Sequence, residues 1–434
     1  MNSASPPATS PTFAVEVLGC KVNQHEAQQI RQELEERGWR PARGGAAPDL
    51  VIVHGCAVTA EALRQSRQRA RRAAAITSRV ILSGCAAALP PAGGAGAADA
   101  FERAPSGLGW RAALGEALRC AGAVGTAEPM RSPLRRFVGH TRAFVKAQDG
   151  CDLGCAYCIV PRLRGPPRDR PLGEIEAKAR ALAEAGHSEL VISGVCVGLY
   201  GRGGGPKLAE AIRRVDRIES VRRLRLSSLH PTELTDDLLE AWAGTSKMCP
   251  HAHLPLQSGS DRMLRLMGRG YTAVSFAAAV ERLRRRLDRP AITTDVIVGF
   301  PGETETDFEA TLAFARAIGF SRLHVFRFSA RPGTRAAALG SPVPPDVVRA
   351  RAARAKAESE RLAGAFHGRF IGETVEVLAE TRDARGAFWR GYDRRYIPVQ
   401  FAGGPEWAGR LARVRLTDAD ARGARGVLAV NADG

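Results

Sequence analysis

In the first quarter of the chain, short apolar runs alternate with longer stretches in which hydrophobic residues recur at helical spacing. Apolar runs at residues 13–18, 49–53 and 79–83 predict strands, and the stretches 21–37 and 60–75 between them have the periodicity of helices. Because strands and helices alternate, the pattern of this region predicts a small parallel sheet with helices on its faces, a Rossmann-like α/β domain.

A second series of apolar runs predicts a larger unit built in the same way. Each of six runs is short and is followed by a polar or helical stretch. They cover residues 143–148, 189–193, 223–227, 253–256, 293–298 and 323–328. Helical periods at 171–185, 235–242 and 304–318 lie between them. Six strands alternating with helices predict a partial (β/α) barrel of the TIM type, whose functional loops follow the carboxyl ends of the strands.

The pattern changes again after a helical, Arg- and Ala-rich stretch at 347–366. Apolar and polar residues alternate at 374–379, 396–401 and 413–416, with Gly and Asp between the runs, and this predicts a small antiparallel β barrel. The stretch at 90–98 is rich in Pro and Gly and predicts a loop. The stretch at 126–136 is rich in Pro and Arg and predicts a linker. The predicted domains are a disordered tail at 1–11, the first α/β domain at 12–125, the partial barrel at 137–367 and the β barrel at 368–434.

Length and hydrophobicity agree with several packed domains. The chain has 434 residues, of which 44% are hydrophobic, enough to bury sizeable cores. No apolar run is long enough for a transmembrane helix. The N-terminus lacks the basic start and apolar stretch of a secretory signal, so we expect a cytoplasmic protein without a membrane partner.

The net charge favours a polyanionic partner. Lys and Arg total 63 against 45 Asp and Glu, which gives +18 and points first to nucleic acid. In the last domain, arginines surround Trp389, Tyr392 and Tyr396, an arrangement suited to phosphate binding and base stacking. These arginines are Arg390, Arg394, Arg395, Arg410, Arg413 and Arg415. The alternative is an Arg-rich chain whose barrel aromatics belong to the core.

Nine cysteines suggest metal binding or catalysis. The number is odd, and disulfides are rare in the cytosol. Cys20, Cys56 and Cys85 each follow one of the three N-terminal strands. Because the carboxyl ends of parallel strands meet at one sheet edge, we predict that these three share a metal site. Three unrelated cysteines in Gly-Cys turns are the alternative.

Cys151, Cys155 and Cys158 form a CxxxCxxC loop after the strand at 143–148, and Tyr157 precedes the last cysteine. Three thiolates on a four-iron cluster leave one iron open. There S-adenosylmethionine can bind and be cleaved by one electron to a 5′-deoxyadenosyl radical. A structural zinc site needs four ligands, and no fourth Cys or His lies close by, so a zinc knuckle is the lesser alternative.

With these motifs, the chain from about residue 13 onward resembles the methylthiotransferase family of radical S-adenosylmethionine enzymes. The matching stretches are LGCKVNQHEA, HGCAVT, SGC, DGCDLGCAYCIVPRLRG, LSSLHPTEL, CPHAHLPLQSGSDRMLRLMGRGYT, TTDVIVGFPGETETDF and HVFRFSARPGT. The resemblance therefore rests on eight separate stretches and is far more specific than one cysteine motif.

The resemblance implies a domain order and a set of cofactors. The N-terminal part resembles the methylthiotransferase domain, the middle resembles the radical barrel and the end resembles a TRAM domain, a small RNA-binding barrel. It implies one 4Fe-4S cluster on Cys20, Cys56 and Cys85 and a second, which binds S-adenosylmethionine, on Cys151, Cys155 and Cys158. Two molecules of S-adenosylmethionine per product are implied, one as methyl donor and one as radical source.

The resemblance also implies partners and a substrate. The partners are tRNA, contacted at adenosine 37 of the anticodon loop, and a reductant such as flavodoxin or ferredoxin, with the sulfur donor left open. GCKVNQ and LHVFRFSARPGT are most similar to the branch that adds a methylthio group at C2 of N6-threonylcarbamoyladenosine 37. Branches that act on N6-isopentenyladenosine 37 or on a ribosomal-protein aspartate are alternatives.

Two functions from other classes remain as rivals. A non-catalytic, zinc-stabilised RNA-binding protein would use the cysteines for structure only. A radical methyltransferase would add carbon and would leave Cys20, Cys56 and Cys85 without a purpose.

Five residues are predicted to lie near bound S-adenosylmethionine. Ser193 and Gly194 end a barrel strand where radical enzymes hold the methionine amine, although no carboxylate is present there. Gln257 ends another strand, and Gly299 and Gly302 belong to a loop that opens a helix. Backbone groups of that loop are expected to contact the adenosyl moiety.

Some positions depart from the family pattern. HGCAVT replaces a usual Asn-Thr-Cys, SGCAAAL lacks the usual Tyr and Gln, and Cys196 stands where a polar residue is usual. None of these removes a predicted cluster ligand. Cys120 and Cys249 are isolated in sequence and are predicted to be buried core thiols.

Overall fold

The protein is described by a computed structural model that covers residues 10–43, 47–90, 101–106, 110–120 and 134–429. Most of the predicted tail (1–11), loop (90–98) and linker (126–136) lies outside these residues. The described residues form two compact units. The first contains those up to Leu134 together with Ile159–Pro166, and the second contains Arg135–Cys158 and those from Pro167 onward.

The first unit is a parallel sheet with helices on both faces, in the strand order β2-β1-β3-β4-β5. Its strands are β1 (Thr12–Val17), β2 (Arg40–Pro41), β3 (Leu50–Gly55), β4 (Val80–Gly84) and β5 (Glu102–Pro105). Its helices are α1 (Lys21–Glu36), α2 (Ala60–Ala74), α3 (Trp110–Cys120) and, from the later segment, α4 (Val160–Arg164). The predicted parallel α/β fold is confirmed.

Burial on both faces explains why β3 is a continuous apolar run. Ile52 of β3 packs with Ile30 of α1 in one cluster, whereas Val51 and Val53 pack with Ala70 of α2 in another. Alternate residues of a strand face opposite sides, so a central strand of a parallel sheet is apolar on both sides.

The second unit begins with six parallel strands in two sheets, β10-β9-β6 and β11-β12-β13. The strands are β6 (Arg142–Lys146), β9 (Glu189–Ser193), β10 (Arg223–Leu226), β11 (His251–His253), β12 (Ala291–Val298) and β13 (Arg322–Arg327). Two further short strands, β7 (Gln148–Asp149) and β8 (Arg168–Asp169), pair antiparallel with each other. Single parallel bridges, one of them Ser228 to His253, connect the two sheets. The predicted partial barrel is confirmed.

Helices alternate with these strands, and four of them begin at a Ser or Thr cap. The helices are α5 (Leu172–Glu184), α6 (Leu208–Asp216), α7 (Asp236–Ala243), α8 (Asp261–Met267), α9 (Ala273–Arg286), α10 (Glu305–Ile318) and α11 (Pro345–Gly368). The hydroxyl oxygens of Thr235, Ser260, Thr272 and Thr304 each accept a hydrogen bond from a backbone N–H in the first turn. None of the described helices is both long and apolar enough to cross a membrane.

The chain ends in a closed five-stranded barrel within the same compact unit, in the order β14-β15-β16-β18-β17. Its strands are β14 (Thr374–Arg382), β15 (Phe388–Asp393), β16 (Pro398–Ala402), β17 (Leu411–Asp420) and β18 (Gly423–Leu428). Alternating residues such as Val375, Val377, Val414 and Leu416 fill the core. The predicted small β barrel is confirmed, with a parallel pair, β16 and β18, among its antiparallel strands.

Candidate metal centres

Three cysteines lie at one edge of the first sheet. Cys20, Cys56 and Cys85 follow β1, β3 and β4, which are direct neighbours in the sheet. Gly55 and Gly84, the last residues of β3 and β4, are paired in register. The three thiols therefore start from the same carboxyl edge, as the sequence pattern predicts.

The turn at Gly19 shows how closely two of these cysteines approach. Gly19 has φ +107°, and a Cβ placed there would lie 2.8 Å from the Cβ of Cys56 and 3.1 Å from its Sγ. Glycine is needed for the backbone conformation and for the space. Electrostatic interaction links all three thiols, because the charge of Cys20 raises the pKa of both Cys56 and Cys85.

Two of the three thiols, those of Cys56 and Cys85, are buried, whereas Cys20 is exposed. Burial raises the pKa of Cys56, and it raises the pKa of Cys85 to about 12, while the nearby Arg164 acts in the opposite direction on both. Such thiols lose their protons when a metal cation takes the proton's place. Three thiols without a fourth protein ligand fit a four-iron cluster with one open iron.

Ligands of a cluster need not converge on one ion, since each thiolate binds a different iron. Among the described residues, no group of three or more His, Cys, Asp or Glu side chains that could hold a metal ion is found.

A buried hydrogen-bonded network lies beside the three cysteines. Glu26 and His54 are fully buried, with His54 Nε2 3.1 Å from Glu26 Oε2 and His54 Nδ1 2.7 Å from Ser83 Oγ. Arg164 donates to both carboxylate oxygens of Glu26 at 3.0 Å and to Asn23 Oδ1 at 2.7 Å. Sequence reasoning missed this network, although the departure HGCAVT marked His54.

The CxxxCxxC loop lies in the second unit after β6 and β7. Cys151 is buried, Cys155 and Cys158 are half-buried, and burial raises the pKa of Cys151. The Cys158 N–H donates to the Cys155 carbonyl at 3.1 Å, and the Ala156 N–H donates to the Met267 carbonyl of α8 at 2.8 Å. The loop is therefore held in place by its own backbone and by α8.

The Arg269 side chain contacts this loop at a sulfur. Its Nη1 donates to Cys155 Sγ at 3.1 Å and to Tyr157 Oη at 3.4 Å, and its Nη2 donates to the Pro255 carbonyl at 2.9 Å. Arg269 is only 6% exposed. It belongs to the stretch LMGRGYT, where the sequence gives no signal of a sulfur contact.

A fourth thiol and a carboxylate lie near Cys151. Cys196 Sγ is 3.4 Å from Glu233 Oε2, and burial raises the pKa of Cys196 well above its usual value. Both Cys196 and Glu233 interact electrostatically with Cys151. Glu233 is a second residue that sequence reasoning missed, since LSSLHPTEL gave no role for its carboxylate.

The two isolated cysteines differ from each other. Cys249 is fully buried, as predicted. The prediction for Cys120 is wrong, because this residue ends α3 and is exposed, with its Sγ 3.5 Å from Glu116 Oε1.

Ser193 and Gly194 lie at the end of β9, within the barrel. Ser193 is fully buried, and its Oγ donates to the Val145 carbonyl at 3.3 Å. The Gly194 N–H donates to Ser227 Oγ at 3.3 Å, and a Cβ at Gly194 would lie 2.8 Å from Gln148 Oε1. Gly194 thus allows adjacent strand ends to pack closely, and its contact with S-adenosylmethionine stays a prediction.

Gln257, Gly299 and Gly302 follow β11 and β12. Gln257 is buried and has φ +71°, an uncommon backbone conformation that recurs at functional sites. The Gly299 N–H donates to Glu303 Oε2 at 2.7 Å, and the Gly302 N–H donates to the Ser341 carbonyl at 2.9 Å. Both N–H groups are engaged, so the predicted contacts with the adenosyl moiety would fall to the carbonyl oxygens of this loop.

The basic and aromatic residues of the last barrel do not form one surface. Trp389 is in the barrel core, and the Tyr396 ring lies 3.7 Å from the guanidinium carbon of Arg225. Arg394 donates to the Met248 carbonyl at 2.7 Å, and Arg395 donates to Asp288 Oδ2 at 2.8 Å. The prediction of nucleic-acid contact is wrong for Trp389, whose ring is buried in the barrel core. For the half-buried Arg394, Arg395 and Tyr396, which pack against the partial barrel, it stays a prediction.

A different face of the last barrel is exposed and basic. Arg390, Gln400 and Arg425 are register partners on β15, β16 and β18. Beside them, Phe388 is 41% exposed and Val427 is 56% exposed. The predicted Arg410, Arg413 and Arg415 are exposed as well. Guanidinium groups beside an exposed aromatic ring suit a nucleic-acid strand.

Two family models match the chain. The model described as "Radical SAM superfamily" matches residues 145–315, and the model described as "Uncharacterized protein family UPF0004" matches residues 12–94. The first match contains the CxxxCxxC loop, and the second contains Cys20, Cys56 and Cys85.

Two curated proteins are similar over most of their length. The threonylcarbamoyladenosine tRNA methylthiotransferase MtaB of Thermotoga maritima is 34% identical over 410 residues, 90% of this chain and 92% of that protein. The tRNA-2-methylthio-N(6)-dimethylallyladenosine synthase of Clavibacter michiganensis is 35% identical over 447 residues, 96% of this chain and 83% of that protein.

Among solved structures, the radical S-adenosylmethionine methyltransferase TsrM of Kitasatospora setae is similar in fold. Its TM-score is 0.56 at 15% identity, over 76% of this chain and 77% of that one. At that identity the likeness concerns architecture only.

Proposed function

The chain belongs to the radical S-adenosylmethionine methylthiotransferases that modify tRNA, and we propose that it inserts a methylthio group at C2 of N6-threonylcarbamoyladenosine 37. The observation that carries the proposal is the second set of thiols, Cys20, Cys56 and Cys85, brought to one sheet edge. A radical methyltransferase has no use for this set, whereas sulfur insertion needs a place that holds sulfur.

The two sets of cysteines have separate roles in this proposal. Cys151, Cys155 and Cys158 would hold one 4Fe-4S cluster, and Cys20, Cys56 and Cys85 would hold a second. When bound, the first of these clusters supplies one-electron reductive cleavage of S-adenosylmethionine. Two molecules of S-adenosylmethionine are consumed per product, one of them for the methyl group.

The chain's own side chains prepare the radical loop. Arg269 holds the Cys155 sulfur through a hydrogen bond, and Cys151 is buried. The Glu233 carboxylate, whose pKa is raised by burial, lies beside Cys196. No carboxylate occurs at Ser193 and Gly194. The Glu233 carboxylate would take that role and bind the methionine amine.

Polar side chains in the partial barrel favour a substrate whose purine carries a polar substituent. His253 Nε2 lies 3.3 Å from Asp295 Oδ1, and the ring of His324 is 5.5 Å from that of His253. A threonylcarbamoyl group offers urea, hydroxyl and carboxylate partners to these residues. An isopentenyl group has no polar atoms to offer these residues.

The dimethylallyladenosine branch is the second candidate, because the Clavibacter relative is as similar in identity as the Thermotoga relative. In either case the exposed face with Arg390 and Arg425 would contact the tRNA. A flavodoxin or ferredoxin would supply electrons.

The test is a reaction with two matched tRNAs. Anaerobically purified protein, reconstituted with iron and sulfide, is incubated with S-adenosylmethionine, dithionite and tRNA that carries either threonylcarbamoyl- or isopentenyladenosine 37. Mass spectrometry of the nucleosides should show the methylthio product from the first tRNA only. Product from the second tRNA alone would assign the other branch. Colourless protein that holds only zinc would support the non-catalytic rival.

A further inference from the structure

Arg164 is a buried cation in the first compact unit, although it lies only six residues after Cys158 in the sequence. Its helix, α4, belongs to the segment Ile159–Pro166 that packs in that unit. Ile159 and Leu163 form one apolar cluster with Cys85 and Ala57, which places α4 beside the cysteine edge.

Hydrogen bonds through Asn23 connect Arg164 to the turns of Cys20 and Cys56. Arg164 Nη2 donates to Asn23 Oδ1 at 2.7 Å, and that same oxygen lies 4.0 Å from Cys20 Sγ. Asn23 Nδ2 donates to the Gly55 carbonyl at 3.0 Å, directly before Cys56. One amide side chain therefore links the guanidinium to two of the cysteine turns.

The guanidinium is also paired with a carboxylate. Arg164 Nη1 and Nη2 donate to the two carboxylate oxygens of Glu26 at 3.0 Å. Both side chains are almost wholly buried, so this ion pair lies in the interior beside the cysteine edge.

We propose that Arg164 is a positioning residue for the cluster on Cys20, Cys56 and Cys85, where its charge stabilises the bound thiolates and sets the reduction potential. This inference rests on the proposed second cluster. Two of the three thiolates, Cys56 and Cys85, are buried, and their negative charge needs compensation in a site of low polarity. A nearby cation also favours an added electron, so its loss makes reduction harder, and loss of Glu26 makes reduction easier.

The test uses the full chain with Cys151, Cys155 and Cys158 replaced by Ala, so that only the first cluster can form. Midpoint potentials are measured by a redox titration followed by electron paramagnetic resonance, together with iron per chain. Arg164→Gln should shift the midpoint to a more negative value and lower the iron content. Arg164→Lys should restore much of both, and Glu26→Gln should shift the midpoint in the positive direction.

The matched control is Arg162→Gln, since Arg162 is on the same helix and is exposed. Its midpoint and iron content should equal those of the parent. If the midpoint potential of Arg164→Gln equals that of the parent, the inference is overturned. If Arg164→Gln does not fold, as judged by circular dichroism, an unshifted midpoint in Glu26→Gln overturns it as well. A parent chain that binds no iron overturns the proposed second cluster and this inference together, whereas iron without these shifts overturns the inference alone.

Discussion

Two arginines that are almost wholly buried lie beside the cysteines, one in each compact unit. Arg164 is 2% exposed and Arg269 is 6% exposed. Burying a guanidinium is costly unless its N–H groups are hydrogen-bonded, and both side chains have such partners. A cost of this kind is expected where a site needs a fixed positive charge.

Replacing Arg269 by Gln should slow cleavage of S-adenosylmethionine. The change removes a charge-assisted hydrogen bond to Cys155, worth about 1.5–3 kcal/mol, so we expect a rate roughly tenfold to a hundredfold lower. The measurement is 5′-deoxyadenosine formed with excess dithionite. Arg265→Gln, an exposed change in the adjacent helix, should leave the rate unchanged. An unaltered rate in Arg269→Gln would contradict the assigned contact.

His230 should make the fold sensitive to acid. Burial first, and then the charge of Arg269, lower the pKa of His230 to about 4, against about 6.5 in an unfolded chain. Between these values the unfolded chain binds a proton that the folded chain excludes, so stability is lost as the pH falls from about 6.5 toward 4. The full loss is on the order of 3 kcal/mol.

The check is thermal unfolding at pH 7 and pH 5 for the parent and for His230→Gln. The variant should lose less stability between the two pH values, because it lacks the group that takes up the proton. Equal losses in the two proteins would show that His230 does not carry the effect.

At the scale of elements, the cysteine edge was predictable because its determinants are local. Buried runs such as that of β3 mark strands, and parallel pairing then brings Cys20, Cys56 and Cys85 to one edge. Strands β2 and β5 were missed because they are short and only partly apolar. The network of Glu26, His54 and Arg164 was also missed, since its members are far apart in sequence.

Gly19→Ala should remove the first cluster while leaving the sheet folded. The added methyl group would meet Cys56, and φ +107° is unfavourable for alanine. Iron content should fall from about eight to about four atoms per chain. Gly38→Ala is the control, because Gly38 has φ +85° but open space around it, so it tests the backbone effect alone. Full iron content in Gly19→Ala would contradict the placement of the site.

At the scale of the whole molecule, the last barrel joins the partial barrel through buried charges. Arg225 donates to Glu189 Oε1 at 2.7 Å and lies under the ring of Tyr396. The sequence shows that Arg394 and Tyr396 are basic and aromatic, but closure of the barrel decides which face they occupy. This is why charge and composition predicted a nucleic-acid partner, while the residues chosen for the contact were partly wrong.

Replacing Arg390 and Arg425 by Gln together should weaken tRNA binding and its salt dependence. Each phosphate contact contributes about 0.7–0.9 to the slope of log affinity against log salt, so the slope should fall by about 1.5. Fluorescence anisotropy at several salt concentrations measures it. The control is the exposed pair Arg285 and Arg286 on α9, replaced in the same way. Equal slopes for the two double variants would place the tRNA elsewhere.

Methylthio transfer to threonylcarbamoyladenosine 37 is tested by nucleoside mass spectrometry of tRNA from a strain that lacks this gene. We expect loss of the methylthio form of threonylcarbamoyladenosine, accumulation of the unmodified precursor, and recovery when the intact gene, but not a Cys56→Ala gene, is returned. An unchanged level of that methylthio nucleoside in the deletion strain would contradict the proposed methylthio transfer.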